Sequence, residues 1–385
     1  MGILFIADNI LTPSQLWMRR MLDGLGRDVS LLATDVDPGP DYRRRYRWLS
    51  TAPTYIERVL WRAHQMIPRI PTHPRLRLAV QAANVSAVLV HYLTKAVDLD
   101  GIWRATRKPV WVHCHGWDVT WNLRTCEAVP RPVHAANYVE RVKNLPQNVR
   151  FIANSQRTKR RLLDIGIADN RICVKYLGVE VPSECPVRSH NEGRIQILYL
   201  GRLVDCKGPE LVIRAFEQAC DRRLDAVLTI AGDGPLRMTC ELLIAHSPYA
   251  ERIEFLGAVD RAAGMELREK ADIFCAHNCL GPITWQEEAY GVALVEAMAA
   301  GLPIITGRNG SVPEIMEDGK QAILVEPGNV KAQAEALIRL ANDPPLRQQM
   351  GRSGWERARD RFTIESEIVT LREILSLPAR ATDNI

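Results

Sequence analysis

Two glutamates, Glu288 and Glu296, flank Gly291 in the stretch EEAYGVALVEAMAAG, residues 287–301. Gly291 has no side chain to block a close approach, and the alanine-rich run after it favours a helix, so we expect a helix to begin there with its free amides facing an anion. At about 1.5 Å of rise per residue, the two carboxylates would lie on the order of 10 Å apart. That exceeds the ~5 Å of a retaining-glycosidase pair. It suits two acids that hold hydroxyls at opposite ends of one ligand, as in a nucleotide sugar.

Two cations follow a predicted strand in the segment ILYLGRLVDCKGPEL, residues 197–211. Arg202 and Lys207 would lie around the turn, where they could neutralise a diphosphate from the side opposite the helix terminus. Fixed cations and amides that face developing negative charge lower the barrier to its formation, and they need no metal. For either cation alone, a solvated surface charge remains an equal alternative.

The elements that must position these residues form two similar series. Apolar runs alternate with helix-length stretches, which predicts parallel sheets. The predicted strands of the first series are residues 3–7, 28–33, 86–92, 110–114 and 149–153. Those of the second are residues 195–200, 225–231, 252–256, 272–276, 303–306 and 322–325. The pattern predicts an α/β protein with two doubly wound, Rossmann-like domains in tandem, facing a central ligand cleft.

The length of 385 residues also favours two domains, because single cores stop growing near roughly 250–300 residues. An aperiodic stretch rich in proline and polar residues predicts a linker over residues 183–193. The expected first domain is then residues 1–182 and the second is residues 194–363. Residues 364–385 would form a helix and tail that could pack back on the first domain.

Composition excludes several classes of protein. A hydrophobic content of 46% with 25% charged residues is globular, and nine scattered cysteines indicate a reducing cytoplasm without a disulfide framework. The first residues, MGILFIADN, predict a buried strand and neither a signal peptide nor a membrane span.

No P-loop motif occurs, and the first strand runs into ADNILTPS without the glycines of a dehydrogenase turn. The glycines of AGDGPLR, residues 231–237, favour a simple turn, because Arg237 stands where a third small residue would pack.

The motifs GRLVDCKG, AGDGP, EFLGAV and EAYGVALVEAMAAGLPIITG, followed by GSVPEIMEDG, occur in this order between about residues 195 and 330. Together they resemble the donor-binding domain of retaining glycosyltransferases of the GT-B fold, glycosyltransferase family four. Weaker similarity extends through the first half, as in HCHGWDV. The resemblance implies transfer of a sugar from a nucleotide-diphosphate sugar to a hydroxyl of a glycan or lipid-linked acceptor. Such activity belongs to polysaccharide or glycolipid biosynthesis.

The resemblance also implies roles for individual residues. Glu296 would bind the ribose hydroxyls and Glu288 the sugar hydroxyls, with Glu288 and His115 as the catalytic pair. The remaining donor-binding residues would hold the diphosphate, contact the sugar and its phosphate, or lie near the base: Gly201, Arg202, Lys207, Ala258, Val259, Gly291, Val292 and Ala293.

The amino-terminal loop departs from the family, because DNILTPSQLW lacks the glycine pair that many members have. Thr12 and Ser14 could contact the acceptor side instead, together with Asp118. Two other functions stay open, a nucleotide-sugar epimerase of the same architecture and a non-catalytic nucleotide-sugar-binding assembly subunit. Without the resemblance, His115 would be interpreted as a core residue, because a histidine at a strand end is more often a core histidine than a catalytic one.

The remaining motifs favour no cofactor. The triplets DVD at 35–37 and DLD at 98–100 resemble a metal-binding pattern, but the first runs into PGPD, which is typical of a solvated loop. CAHNC at 275–279 lacks the second pair of a zinc site. The segment Tyr42 to Leu78 is rich in arginine and aromatic residues. It fits an anionic membrane surface or, equally, a solvated basic helix, and no nucleic-acid module surrounds it. We therefore expect a cytoplasmic protein, with peripheral binding to the inner face of the membrane as an option.

Overall fold

The computed structural model describes residues 2–12, 15–52, 73–125, 131–187 and 193–378. Contacts divide the chain into two units. The first contains residues 1–121, 135–176 and 364–385, and the second contains residues 122–134 and 177–363. Both units are α/β structures built on a parallel sheet.

The first unit has a seven-stranded parallel sheet of order β3-β2-β1-β4-β5-β6-β7. Its strands are β1 Gly2–Ala7, β2 Val29–Thr34, β3 Trp48–Ser50, β4 Val85–His91, β5 Val110–Cys114, β6 Val149–Ala153 and β7 Ile172–Val174. Its helices are α1 Leu16–Leu25, α2 Pro40–Arg45, α3 Pro74–Gln81, α4 Leu93–Asp98, α5 Asp100–Trp103, α6 Tyr138–Lys143 and α7 Gln156–Asp164. The strand order reverses between β1 and β4, which is where doubly wound sheets bind ligands.

The second unit has a six-stranded parallel sheet of order β10-β9-β8-β11-β12-β13. Its strands are β8 Ile195–Leu200, β9 Ala226–Ala231, β10 Ile253–Gly257, β11 Ile273–Cys275, β12 Ile304–Gly307 and β13 Ala322–Val325. Its helices are α8 Pro209–Asp221, α9 Arg237–His246, α10 Arg261–Lys270, α11 Val292–Ala299, α12 Val312–Ile315, α13 Val330–Asn342 and α14 Pro344–Arg361. The apolar runs that predicted strands are the buried strands of these two sheets, so the predicted fold class is confirmed.

The last helix, α15 Ile364–Ile374, packs on the first unit. Lys175 and Glu367 form an ion pair there with side chains that are 0% and 1% exposed, and Arg372 pairs with Asp28. Burial of this kind requires each charge to be compensated by its partner.

Residues 177–182, which the sequence places in the first domain, group with the second unit. The Val179 amide donates to the Phe362 carbonyl at 2.8 Å, and the Trp355 indole donates to the Pro182 carbonyl at 3.0 Å. These hydrogen bonds fasten the segment to the end of α14. Within the described ranges, no helix is both long and apolar enough to cross a bilayer.

Candidate functional site

The predicted helix start at Gly291 is confirmed. Gly291 precedes α11 with a φ of +87°, a conformation that favours glycine, and Val292 and Ala293 form the half-buried first turn. Glu296 lies in the second turn, where its carboxylate faces the Arg268 guanidinium of α10 at 3.4 Å. Arg268, which is nearly buried, therefore orients the glutamate that we expect at the ribose.

Glu288 lies just before this helix and is buried, with 7% of its surface exposed. Its carboxylate pairs with the Lys207 ammonium and accepts a hydrogen bond from the Asn278 amide. The Tyr290 backbone amide also approaches it, at 3.4 Å. Burial alone would raise the pKa of Glu288, but the Lys207 charge and these hydrogen bonds hold that pKa below its ordinary value. Glu288 is therefore a carboxylate that stays ionised although it is buried.

Asn278 and Asp205 are polar residues of this site that the sequence did not single out. Both are almost completely buried, and Asn278 accepts from the Thr306 hydroxyl at 2.9 Å while it donates to Glu288. The Asp205 carboxylate accepts from the backbone amides of Ile283 and Thr284 at 2.9 and 2.8 Å. Asp205 thus ties the loop before Glu288 to the turn that carries Lys207.

The other predicted cation, Arg202, is exposed on the turn after β8. Its carbonyl accepts from the Tyr199 hydroxyl at 2.9 Å, and the positive charge of its guanidinium helps to lower the pKa of Glu288. Lys207, in contrast, is committed to Glu288. A direct contact of either cation with a diphosphate stays a prediction.

The glycine motif AGDGP packs against the same turn. A side chain at Gly232 would overlap the carbonyl of half-buried Gly201, and one at Gly234 would lie 2.6 Å from the Leu203 carbonyl. These glycines allow close backbone packing, as the turn interpretation predicted. Ala258 is exposed and Val259 is half-buried after β10, so both are accessible on the edge of the second unit.

In the first unit, His91, His113 and His115 cluster at the carboxyl ends of β4 and β5, with one ring nitrogen of each within 4.8 Å of the others. The His91 Nδ1 and the His115 Nε2 are 3.3 Å apart, and the Trp17 ring packs on His115 with centroids 4.2 Å apart. His113 is fully buried, whereas His115 keeps partial exposure. Burial lowers the pKa of His91 to about 3 and that of His115 well below 6.5, with neighbouring positive charge adding to the effect. His115 is therefore neutral in the folded protein.

The other predicted acceptor-side residues differ in accessibility. Asp118 is fully buried, and its carboxylate accepts from the backbone amides of Leu93, His115 and Gly116 at 2.8–2.9 Å. Burial raises the pKa of Asp118 to about 6. The carboxylate holds the loop that carries His115, and direct contact with an acceptor stays a prediction. Thr12 is half-buried, and Ser14 lies outside the described residues.

The aspartate triplets are engaged in ion pairs. The Lys95 ammonium contacts Asp35 at 2.7 Å and Asp8 at 2.9 Å, beyond the ends of β2 and β1. Asp98 pairs with Arg141 at 3.6 Å and Asp100 with Arg104 at 3.1 Å. In CAHNC, the His277 ring contacts Gln333 at 2.5 Å and accepts from the Gly328 amide at 2.7 Å. These polar side chains therefore form ion pairs or hydrogen bonds with other groups of the protein.

Only part of the basic segment Tyr42 to Leu78 belongs to the described residues, because residues 53–72 lie outside them. In the described part, Arg43 pairs with Asp37 at 3.3 Å and Arg45 with Asp23 at 2.8 Å. These exposed pairs offset part of the positive charge.

Comparison with known proteins identifies the family. The model of glycosyl transferases group 1 matches residues 183–357, and the model of Glycosyltransferase Family 4 matches residues 18–181. The two matches are adjacent and cover most of the chain. The chain therefore belongs to the group 1 glycosyltransferases, family four.

Two relatives with curated names illustrate the similarity. The GDP-mannose-dependent alpha-(1-6)-phosphatidylinositol monomannoside mannosyltransferase of Mycolicibacterium smegmatis is 30% identical over 180 residues, which is 47% of each chain. A D-inositol 3-phosphate glycosyltransferase of Corynebacterium glutamicum is 27% identical over 290 residues, 64% of this chain and 68% of the relative. The match to the mannosyltransferase thus spans about half of its length.

Solved structures share the fold over nearly the whole chain. The HepE protein of Anabaena, in complex with UDP and glucose, has a TM-score of 0.76 at 18% identity and covers 98% of this chain and 99% of its own. Sucrose-phosphate synthase from Thermosynechococcus elongatus has a TM-score of 0.74 at 16% identity and covers 98% of each chain. The protein therefore has the two-domain GT-B fold.

Proposed function

We propose that this protein transfers a sugar from a nucleotide-diphosphate sugar to a hydroxyl of a glycan or lipid-linked acceptor, with retention of the anomeric configuration. The observation that carries the proposal is the buried, ionised Glu288 held by Lys207 and Asn278 directly before the start of α11. A carboxylate that remains charged in a buried position is a strong acceptor for sugar hydroxyls.

The charge layout suits departure of a nucleoside diphosphate. The free amides at the start of α11 and the exposed Arg202 supply positive charge where the diphosphate gains negative charge, which lowers the barrier to cleavage of the sugar–phosphate bond. Lys207 contributes indirectly in this scheme, because its ammonium keeps Glu288 ionised. Glu296, oriented by Arg268, accepts hydrogen bonds from the ribose.

Retention in this proposal rests on the resemblance to the retaining family, and the contacts of Glu288 are compatible with a reaction that uses no carboxylate nucleophile. Its carboxylate is hydrogen-bonded and ion-paired, which makes it a poor nucleophile toward the anomeric carbon. The departing phosphate then accepts the acceptor's proton on the face that it leaves, and the acceptor oxygen bonds to that same face. His115, neutral and partly exposed, is available as a hydrogen-bond donor or acceptor to the substrate.

The names of similar proteins support the substrate classes. HepE was solved with UDP-glucose, and the mannosyltransferase of Mycolicibacterium smegmatis acts on a phosphatidylinositol mannoside. We infer a lipid-linked or glycan acceptor in glycolipid or polysaccharide synthesis, with the basic segment Tyr42 to Leu78 bringing the enzyme to an anionic membrane. The transfer requires no divalent metal in this proposal.

The test is nucleoside diphosphate release from a panel of nucleotide sugars, with and without EDTA. We expect one donor to be consumed at a rate that EDTA leaves unchanged. Glu288→Gln should abolish release, whereas Glu251→Gln, at an exposed position of the same unit, should leave it intact. Loss of turnover with EDTA and recovery with Mg²⁺ or Mn²⁺ would contradict the metal-free scheme. Conversion of the donor into its epimer without release would identify an epimerase.

A further inference from the structure

A cation and an aromatic ring meet beside the candidate donor site. The Arg124 guanidinium lies over the Trp285 ring, 4.2 Å from its centroid. The Arg124 backbone amide also donates to the Thr284 carbonyl at 2.9 Å. Arg124 belongs to the segment 122–134, which is grouped with the second unit, so both residues lie in one unit.

The backbone at Trp285 is strained. Its φ of +60° is rare for a bulky residue and needs support from the surroundings. The Trp285 amide donates to the Gly281 carbonyl at 2.8 Å, and the Gly281 amide donates to the Gln286 carbonyl at 2.7 Å. The closed turn holds the indole 38% exposed. Strain that is maintained in order to expose a large aromatic side chain is typical of a binding site rather than of a core.

The same turn is rigidly connected to Glu288. The Asp205 carboxylate accepts from Ile283 and Thr284, and a side chain added at Gly281 would lie 2.5 Å from that carboxylate. Asp205 begins the short helical turn that contains Lys207, the partner of Glu288. Trp285 therefore keeps a fixed position relative to the sugar-binding glutamate, which lies three residues further along the chain.

The Arg124 guanidinium can donate further hydrogen bonds to a ligand. In the part of the chain that the structure describes, no carboxylate pairs with its guanidinium, although the side chain is half-buried. Stacking on an indole occupies the face of a guanidinium and leaves its in-plane N–H donors free for a bidentate contact with a carboxylate or phosphate. The ring also offers an apolar surface for the body of the ligand.

We propose that Arg124 and Trp285 bind an anionic group of the acceptor, a carboxylate or a phosphate, and so select an acidic acceptor. This inference rests on the proposed glycosyltransferase function. It adds a substrate class and, beside the donor site built around Glu288, two residues that determine specificity for the acceptor.

The test is NMR of the indole N–H signals of the full chain labelled with ¹⁵N, with the Trp285 signal assigned by its loss in Trp285→Phe and again in Trp285→Tyr. The probes are methyl glucuronide, glucose 6-phosphate and neutral methyl glucoside. We expect at least one anionic probe to shift the Trp285 signal saturably and the neutral probe to leave it in place. Which anion binds more tightly distinguishes a carboxylate from a phosphate.

Matched variants separate charge recognition from folding. Arg124→Gln should weaken the anionic probe by about ten-fold or more, the scale of one charge-assisted contact, whereas Arg131→Gln in the same segment should change it less than about two-fold. Equal shifts with the neutral probe, or unchanged binding in Arg124→Gln, would overturn the proposal. The proposal would also be overturned if a nucleoside diphosphate displaced the probe and Arg124→Gln weakened binding of that nucleoside diphosphate as much as binding of the probe. The pair would then belong to the donor site. Failure of the wild type to bind any nucleoside diphosphate, with anionic probes still bound, would count against the proposed function instead.

Discussion

Replacing Lys207 with methionine should destabilise the second unit strongly. The Glu288 and Lys207 side chains are 8% and 20% exposed, so the substitution leaves a buried carboxylate without its counterion. Breaking one partner of a buried pair costs about 3–5 kcal/mol. For a domain of about 200 residues, each kcal/mol lowers Tm by about 2–4 °C, so the transition of this unit should fall by about 6–20 °C at pH 8.

The loss of stability caused by Lys207→Met should depend on pH in a defined direction. In the wild type the pKa of Glu288 is held below its ordinary value, so the pair's contribution is present above the unfolded pKa and is lost as pH falls through the folded pKa. Without Lys207, burial raises the pKa of Glu288, and the folded carboxyl takes up a proton more readily than the unfolded one. The deficit of Lys207→Met should therefore shrink between pH 8 and pH 5.

Calorimetry of four proteins measures this effect. The double variant Lys207→Met with Glu288→Gln should recover much of the loss, because the uncompensated charge is gone. Lys320→Met is the control, since Lys320 pairs with Glu317 at an exposed position and should cost less than about 1 kcal/mol. A loss in Lys207→Met no larger than in Lys320→Met, or no recovery in the double variant, would refute the assignment of a buried, ionised Glu288.

Three further predictions concern the ribose contact, the histidines and the membrane. Glu296→Ala should weaken nucleoside diphosphate binding and leave pyrophosphate binding nearly unchanged in calorimetric titrations, and equal losses for both ligands would contradict the ribose assignment. Because burial lowers the pKa of the clustered histidines, only the unfolded chain takes up their protons, so stability should decrease below pH 6.5 by up to about 1.4 kcal/mol per pH unit for each histidine. Urea denaturation from pH 8 to pH 5 should show a smaller loss of unfolding free energy per pH unit in His113→Gln than in the wild type. An identical loss per pH unit would exclude this cause. The protein should co-sediment with anionic vesicles at low salt and dissociate from them steeply as salt rises, since screening limits the attraction to about 8 Å at physiological ionic strength. The matched variant replaces four arginines of the basic segment with glutamine: Arg43, Arg44, Arg45 and Arg47. No pelleting of the wild type with anionic vesicles would indicate a solvated face.

Much of the fold could be predicted because its signals are local. Buried parallel strands are continuous apolar runs, and eleven such runs in two series correspond to strands of the two sheets. The three-residue strands β3 and β7 were not predicted, whereas β11, which is equally short, was predicted from the longer stretch 272–276. Gly291 marked the start of α11 because the left-handed conformation and the alanine-rich run are both encoded within ten residues.

Site residues could be predicted only where the residue type indicates a function without knowledge of the residues that it contacts. Glu288 and Lys207 were both expected near the donor, but their pairing depends on residues 81 positions apart that meet through the β8 and β11 pairing. Asp205 and Asn278 resemble ordinary turn residues in the sequence, and burial alone reveals that they support the site. His91 was missed because its contact with His115 requires the register of β4 against β5.

Proton NMR of the reaction tests the central claim most directly. The enzyme is supplied with the donor that it consumes, in its α-linked form, together with a hydroxyl-bearing acceptor, and the anomeric proton of the glycoside product is observed. Release of nucleoside diphosphate together with an α-linked glycoside product is the predicted result. A β-linked glycoside product would contradict retention, and the absence of nucleoside diphosphate release from every donor of the panel would contradict glycosyl transfer itself.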